Sequence, residues 1–111
     1  MPSKIDGAMI SNLKDLLGER FAELVDRFVQ DGNRRMALLR SAVPIRDFDV
    51  IHAEAHGLKG SSRNIGANLL GDVCGELERD GREKRQDNLT TLFAALEQEF
   101  AAVCVELRTY C

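Results

Sequence analysis

The two histidines of the chain, His52 and His56, open one stretch: His-Ala-Glu-Ala-His-Gly-Leu-Lys-Gly-Ser-Ser-Arg-Asn-Ile-Gly, ending at Gly66. Read as a helix with its buried stripe centred on Ala55 and Leu58, about 100° per residue turns His56 roughly 130° from the core. The imidazole then faces solvent or a partner. His52, Lys59, Gly60 and Arg63 gather on the same side, because positions three and four apart are helix neighbours. An exposed neutral imidazole is a nucleophile near pH 7, and cations beside it attract and stabilise negative charge. The glycines need a reason, since each costs a helix about 1 kcal/mol relative to Ala. Gly60, one turn after His56, would let another molecule reach the ring without meeting a side chain. Gly57 fits equally well as a point of tight helix packing.

A shared cation is the other chemistry that two histidines at i, i+4 suggest. Glu54 stands one place later than a His-Glu-x-x-His site requires, and no further histidine or Cys partner completes a ligand set. No metal and no cofactor are expected.

The elements that must position this stretch are helical. Proline occurs only at Pro2 and Pro44, Trp is absent, and strand-type alternation is hard to find. A first helix over about Asp6–Leu17 places Met9, Leu13, Leu16 and Leu17 on one face, with Gly18 as its stop. A second, about Glu19–Ala42, carries Phe21, Leu24, Val25, Phe28, Met36 and Leu39. Gly32 and Asn33 mark a place for it to kink, and Val43-Pro44 ends it. Asp47 caps the third, with Asp49 in its first turn, and its stripe reads Phe48, Ile51, Ala55, Leu58, Ser62 and Ile65 before Gly66. A fourth holds Leu70, Val73, Cys74 and Leu77 and ends near Asp80-Gly81, followed by a charged link from Arg82 to Asp87. Asn88 caps a last helix with Leu89, Phe93, Leu96, Phe100, Val103 and Leu107 inward. Short links make neighbours antiparallel, so the fold class is all-α: a four-helix bundle with a short additional N-terminal helix, one domain over residues 1–111.

With the elements in place, His56-x-x-Lys59-Gly60-Ser61-Ser62-x-x-x-Gly66 resembles the signature of histidine-containing phosphotransfer (HPt) domains. The motif spans about a dozen positions, and the family's frame, a bundle with the histidine mid-helix, spans nearly the whole chain. The resemblance implies that His56 is the phosphoacceptor, that Lys59 lies near the phosphoryl group, and that Gly60 clears the approach. Ser61 and Ser62 are the small residues that follow, Ser62 facing inward, and Gly66 turns the chain into the fourth helix. His52 has Ala55 and His56 at the offsets where Lys and Gly belong, so it is assigned with Arg63 to the docking face. Leu13, Leu17 and Phe21 are candidates for an apolar docking core, against the ordinary expectation of burial. The implied function is that of a phosphorelay intermediary. It takes a phosphoryl group from the receiver domain of a hybrid sensor kinase and passes it to a response regulator. The receivers would supply Mg²⁺ and most of the catalysis, making this chain a carrier rather than an enzyme.

Composition agrees. Fifteen Lys and Arg against eighteen Asp and Glu give a formal charge of −3, where a duplex-binding protein carries a basic excess. Arg34-Arg35 and Arg82–Arg85 adjoin acidic residues and read as solvated surface, so no nucleic-acid partner is expected. No run of about 18 apolar residues exists to span a membrane. Met1–Ile10 lacks an apolar signal core, which makes the cytoplasm the expected compartment. Neither a phosphate-cradling Gly-rich loop nor the length for an ATPase domain is present. Cys74, Cys104 and Cys111 show no Cys-x-x-Cys spacing; the first two read as small buried hydrophobes, the last as exposed. A free-standing monomer is the expected form, and a bundle that binds signalling partners without carrying phosphate is the alternative.

Overall fold

The computed structural model describes residues 3–111, so Met1 and Pro2 lie outside the described residues. These form α1 (Gly7–Leu17), α2 (Arg20–Ile45), α3 (Phe48–Asn64), α4 (Asn68–Glu83) and α5 (Leu89–Thr109). Helices α2 to α5 are the bundle. The α3–α4 pair shares the most extensive contact, and α1 joins through α2. Antiparallel packing follows from the links, which are a few residues long.

Local chemistry explains most boundaries. The Asp6 carboxylate accepts from the Met9 N–H (3.1 Å) and the Asp47 carboxylate from the Val50 N–H (3.3 Å), each satisfying one orphan donor of a first turn. Gly18 ends α1 at φ 56°, and Gly66 turns the α3–α4 corner at φ 82°. A side chain at Gly66 would also meet Asp6, whose N–H donates to the Gly66 carbonyl (2.9 Å). The corner thereby seats the entrance of α1.

Several expectations are corrected. Helix α2 does not stop at Ala42: it runs unbroken through Gly32 and Pro44 to Ile45 and ends where Arg46 adopts φ 55°. The hydrogen bond that Pro44 forfeits belongs to the exposed last turn, and proline's fixed φ is already helical. Gly32 does not interrupt the helix; it is buried where a Cβ would collide with the Phe100 ring. Helix α4 likewise passes Gly81 and ends at Lys84, φ 55°. Asn88 stands at the start of α5, but its side chain makes no capping hydrogen bond; its carbonyl accepts from Leu92 instead. On α1 the buried residue is Ile10, whereas Leu16 is 82% exposed, because α1 touches the bundle along a narrow line.

The core is otherwise largely the expected one, except that Leu24 and Cys104 are half-buried at its edge. Ile51, Ala55, Leu58, Ser62 and Ile65 of the α3 region and all six stripe residues of α5 are buried, as are Leu70, Cys74 and Leu77 of α4. Phe48 and Val73 are half-buried at its margin.

Candidate functional site

Helix α3 turns its small and apolar stripe into the core, and His56 projects from the margin of that stripe, beside α4, with its side chain 66% exposed. Its ring is not free to turn. Nδ1 lies 3.0 and 3.3 Å from the two carboxylate oxygens of Glu78 on α4. The Glu78 side chain is only 7% exposed, and the Lys59 ammonium donates to it at 2.7 and 3.0 Å. A buried carboxylate without partners would be costly; here two donors from one turn of α3 satisfy it. Burial by itself pushes the Glu78 carboxyl up, but the hydrogen bonds from Lys59 and His56 outweigh it and hold the group below its ordinary range. It is ionised at neutral pH.

An ionised carboxylate only accepts, so the proton on the imidazole must sit on Nδ1. In the neutral ring Nε2 then carries the lone pair, on a side chain that is largely exposed. The imidazole and the carboxylate that orients it are thus on different helices, and their register depends on how closely α3 and α4 approach. Gly81 sets that approach: a Cβ there would lie 2.7 Å from the His52 amide nitrogen and 3.0 Å from the Phe48 carbonyl oxygen.

The remaining residues singled out by the sequence fall as follows. His52 stacks on His56, ring centroids 6.3 Å apart and planes at 14°. The rings lie parallel rather than converging on a point between them, and among the described residues no group of three His, Cys, Asp or Glu could hold a metal. Gly60 is open, with nothing within 4 Å of the place a Cβ would take, in keeping with access. Gly57 is the packing glycine, covered by the Arg35 guanidinium, which is in turn engaged by Asp31 (2.9 Å) and Glu54 (3.1 Å). Arg63 extends beside Asp72 at 3.5 Å and remains half exposed. The Ser61 hydroxyl donates to the Leu58 carbonyl at 3.2 Å. Ser62 is fully buried and its hydroxyl finds no hydrogen-bond partner among the described residues. Burial beside it pushes the Cys74 thiol up to about 12, so it is an inert core group. Phe21 is buried and drops out as a docking candidate, while Leu13 and Leu17 are half-buried.

Reading the imidazole as flanked by cations misses Glu78. The signal is nonetheless present: Leu70, Gly71, Cys74, Leu77, Glu78 and Gly81 form one inward face of α4, with a single charge in it. A carboxylate on an apolar face demands partners, and only a fold can say which.

The chain as a whole resembles known proteins. The chain is 33% identical over 91 residues to histidine-containing phosphotransfer protein 1 of Oryza sativa subsp. japonica, covering 74% of this chain and 62% of that protein. It is 27% identical over 81 residues to histidine-containing phosphotransfer protein 2 of the same plant, covering 71% and 54%. The chain therefore spans under two thirds of the length of these relatives. Among solved structures it superposes on histidine-containing phosphotransfer protein B from Pseudomonas aeruginosa with TM-score 0.92 and 29% identity, over 99% of this chain and 96% of that one. A histidine-containing phosphotransfer protein from maize gives TM-score 0.84 and 29% identity, over 97% and 89%. Residues 23–106 match the family model described as the Hpt domain, and the chain belongs to that family.

Proposed function

We propose that this chain is a phosphorelay intermediary whose phosphoacceptor is Nε2 of His56. The observation that carries the reading is the Glu78 hydrogen bond, which fixes the proton on Nδ1 and leaves the exposed Nε2 lone pair as nucleophile. The aspartyl-phosphate of a receiver domain, in a hybrid sensor kinase, is the donor. The Nε2 lone pair forms the N–P bond as the P–O bond breaks, and the aspartate leaves as carboxylate. A response regulator aspartate later takes the group by the reverse displacement. Such transfer needs in-line positioning and stabilisation of charge on the equatorial oxygens. Lys59 is the cation within reach, and its ammonium can exchange a Glu78 oxygen for a phosphoryl oxygen. The receivers supply Mg²⁺, so the chain is a carrier and the catalysis is theirs.

Docking falls on the face that carries His52, Gly60 and Arg63. Beside it, the seam between α2 and α3 opens an apolar groove floored by Leu24, Phe28 and Ile65 and edged by Arg27 and Asp31. An apolar centre with a charged rim suits a partner that binds and leaves.

The test is phosphorylation of the purified chain and of His56→Gln by phosphoramidate and by a phosphorylated receiver domain. Acid-labile, base-stable label on the wild type and none on the variant is the expected result. Label persisting in His56→Gln moves the site, with His52 next. A folded bundle that no donor labels favours the adaptor.

A further inference from the structure

Attack by Nε2 of a neutral imidazole leaves the ring with the phosphoryl group on Nε2 and its original proton still on Nδ1. The ring then bears a formal positive charge, which an imidazole free in water sheds by releasing that proton. In this fold the Nδ1 proton points at a carboxylate that is almost fully buried. An opposite charge at hydrogen-bond distance favours the charged form of its neighbour, more so where water is excluded.

We propose that Glu78 is a charge-balancing positioning residue: it holds the Nδ1 proton of His56 through the whole phosphoryl cycle, so that the group arrives and leaves with no proton transferred. The proposal rests on the phosphoacceptor reading above. On acceptance the Nε2 lone pair becomes the N–P bond, and the donor oxygen keeps the electron pair of the broken P–O bond. On donation the N–P pair returns to Nε2 and the ring is neutral again, its Nδ1 proton unmoved. Neither step needs a general acid or base, and among the described residues the structure offers no other side chain in hydrogen-bond contact with the ring.

The other charges around the ring are already engaged or lie on the far side of Glu78. On α3, Lys59 donates to the same carboxylate, and His52 stacks against the ring face rather than against Nδ1. On α4, Asp72 engages Arg63 and Glu83 engages Arg79. On α2, Arg35 is held between Asp31 and Glu54. Lys59 is thus the one competitor for Glu78. When its ammonium moves to the phosphoryl oxygens, the carboxylate is left wholly to Nδ1.

The experiment uses the full chain labelled with phosphoramidate, in wild type, Glu78→Gln and Lys59→Met. A glutamine keeps an acceptor for Nδ1 but removes the charge. In the phosphorylated state the Nδ1–H is followed by ¹⁵N NMR between about pH 6 and 9. The expected result is that Glu78→Gln loses this proton at about tenfold higher proton concentration than wild type. Lys59→Met, which leaves the carboxylate undivided, keeps the proton to higher pH than wild type. Phosphoryl donation to one receiver is read in parallel, where the receiver's own pH dependence cancels in the ratio of variant to wild type. That ratio should fall with rising pH for Glu78→Gln. Coincident Nδ1–H profiles in wild type and both variants overturn the proposal. Absence of label on the wild type overturns the phosphoacceptor reading instead, so the two failures are separable.

Discussion

In the proposed function Gly60 and Glu78 serve the same imidazole by opposite means, one by having no side chain and the other by having a charged one. Because nothing lies within 4 Å of a side-chain carbon at Gly60, a substitution there fits the fold. Gly60→Gln should stabilise the chain by about 0.5–1 kcal/mol in urea melts, since glycine is a poor helix former. It should leave labelling by the small donor phosphoramidate unchanged and slow transfer from a receiver about tenfold or more. Equal slowing with both donors would show that the residue matters to the ring itself. Glu78 makes a different prediction, on acid stability. Its folded-state carboxyl is held below the ordinary value of 4.5. Its contribution to stability is therefore complete above that value and is lost as pH falls through the lower, folded-state value. A glutamine does not titrate. The stability advantage of wild type over Glu78→Gln should thus shrink as pH falls below about 4.5, as measured by denaturant midpoints. An advantage that persists undiminished at the acid end of that range would contradict the pairing.

At the scale of elements, the site is a property of the α3–α4 interface rather than of α3. Gly81 lies against the backbone of α3 at Phe48 and His52, and Glu78 precedes it by one turn of α4. Gly81→Ala places a carbon 2.7 Å from a backbone nitrogen, which no rotamer change can relieve. The helices must part, at a cost of about 1–3 kcal/mol. Labelling of His56 should slow although no residue of the site has been altered; an unchanged rate would mean that the pairing tolerates a shift of α4. The same interface shows what is legible in the sequence. Stripes of period 3.6 in α3 and α5 give their buried faces residue by residue, and the offsets from His56 to Lys59 and Gly60 point to the chemistry. Gly81 and Pro44 read as local stops, but both lie inside helices, because close packing against a neighbour or placement in a last turn overrides propensity. Which groups pair with Glu78 is invisible for a related reason. Its partners are 22 and 19 residues away along the chain, and pairing across helices leaves no mark in the spacing along either one.

Taken whole, the described residues form an elongated bundle measuring 42 × 25 × 18 Å. Under the proposed function one nitrogen would serve donor and acceptor in turn, so the two receivers would compete for one face. The other feature of the whole is its seam. Ser3 and Lys4 are fastened to Glu106 (2.5 and 2.8 Å), and the Lys4 ammonium to Glu99 (2.6 Å), so the first described residues lie against the last helix. Topologically the chain is close to a ring, and the order in which its helices follow one another is a convention that the packing does not need. A circular permutant that joins Cys111 to Ser3 through a short Gly/Ser linker and opens in the exposed link at Gln86-Asp87 should fold and take label at His56 like the parent. Opened at the α3–α4 corner instead, the ring would carry His56 and Glu78 toward its two loose ends, and it should lose its label before it loses its fold.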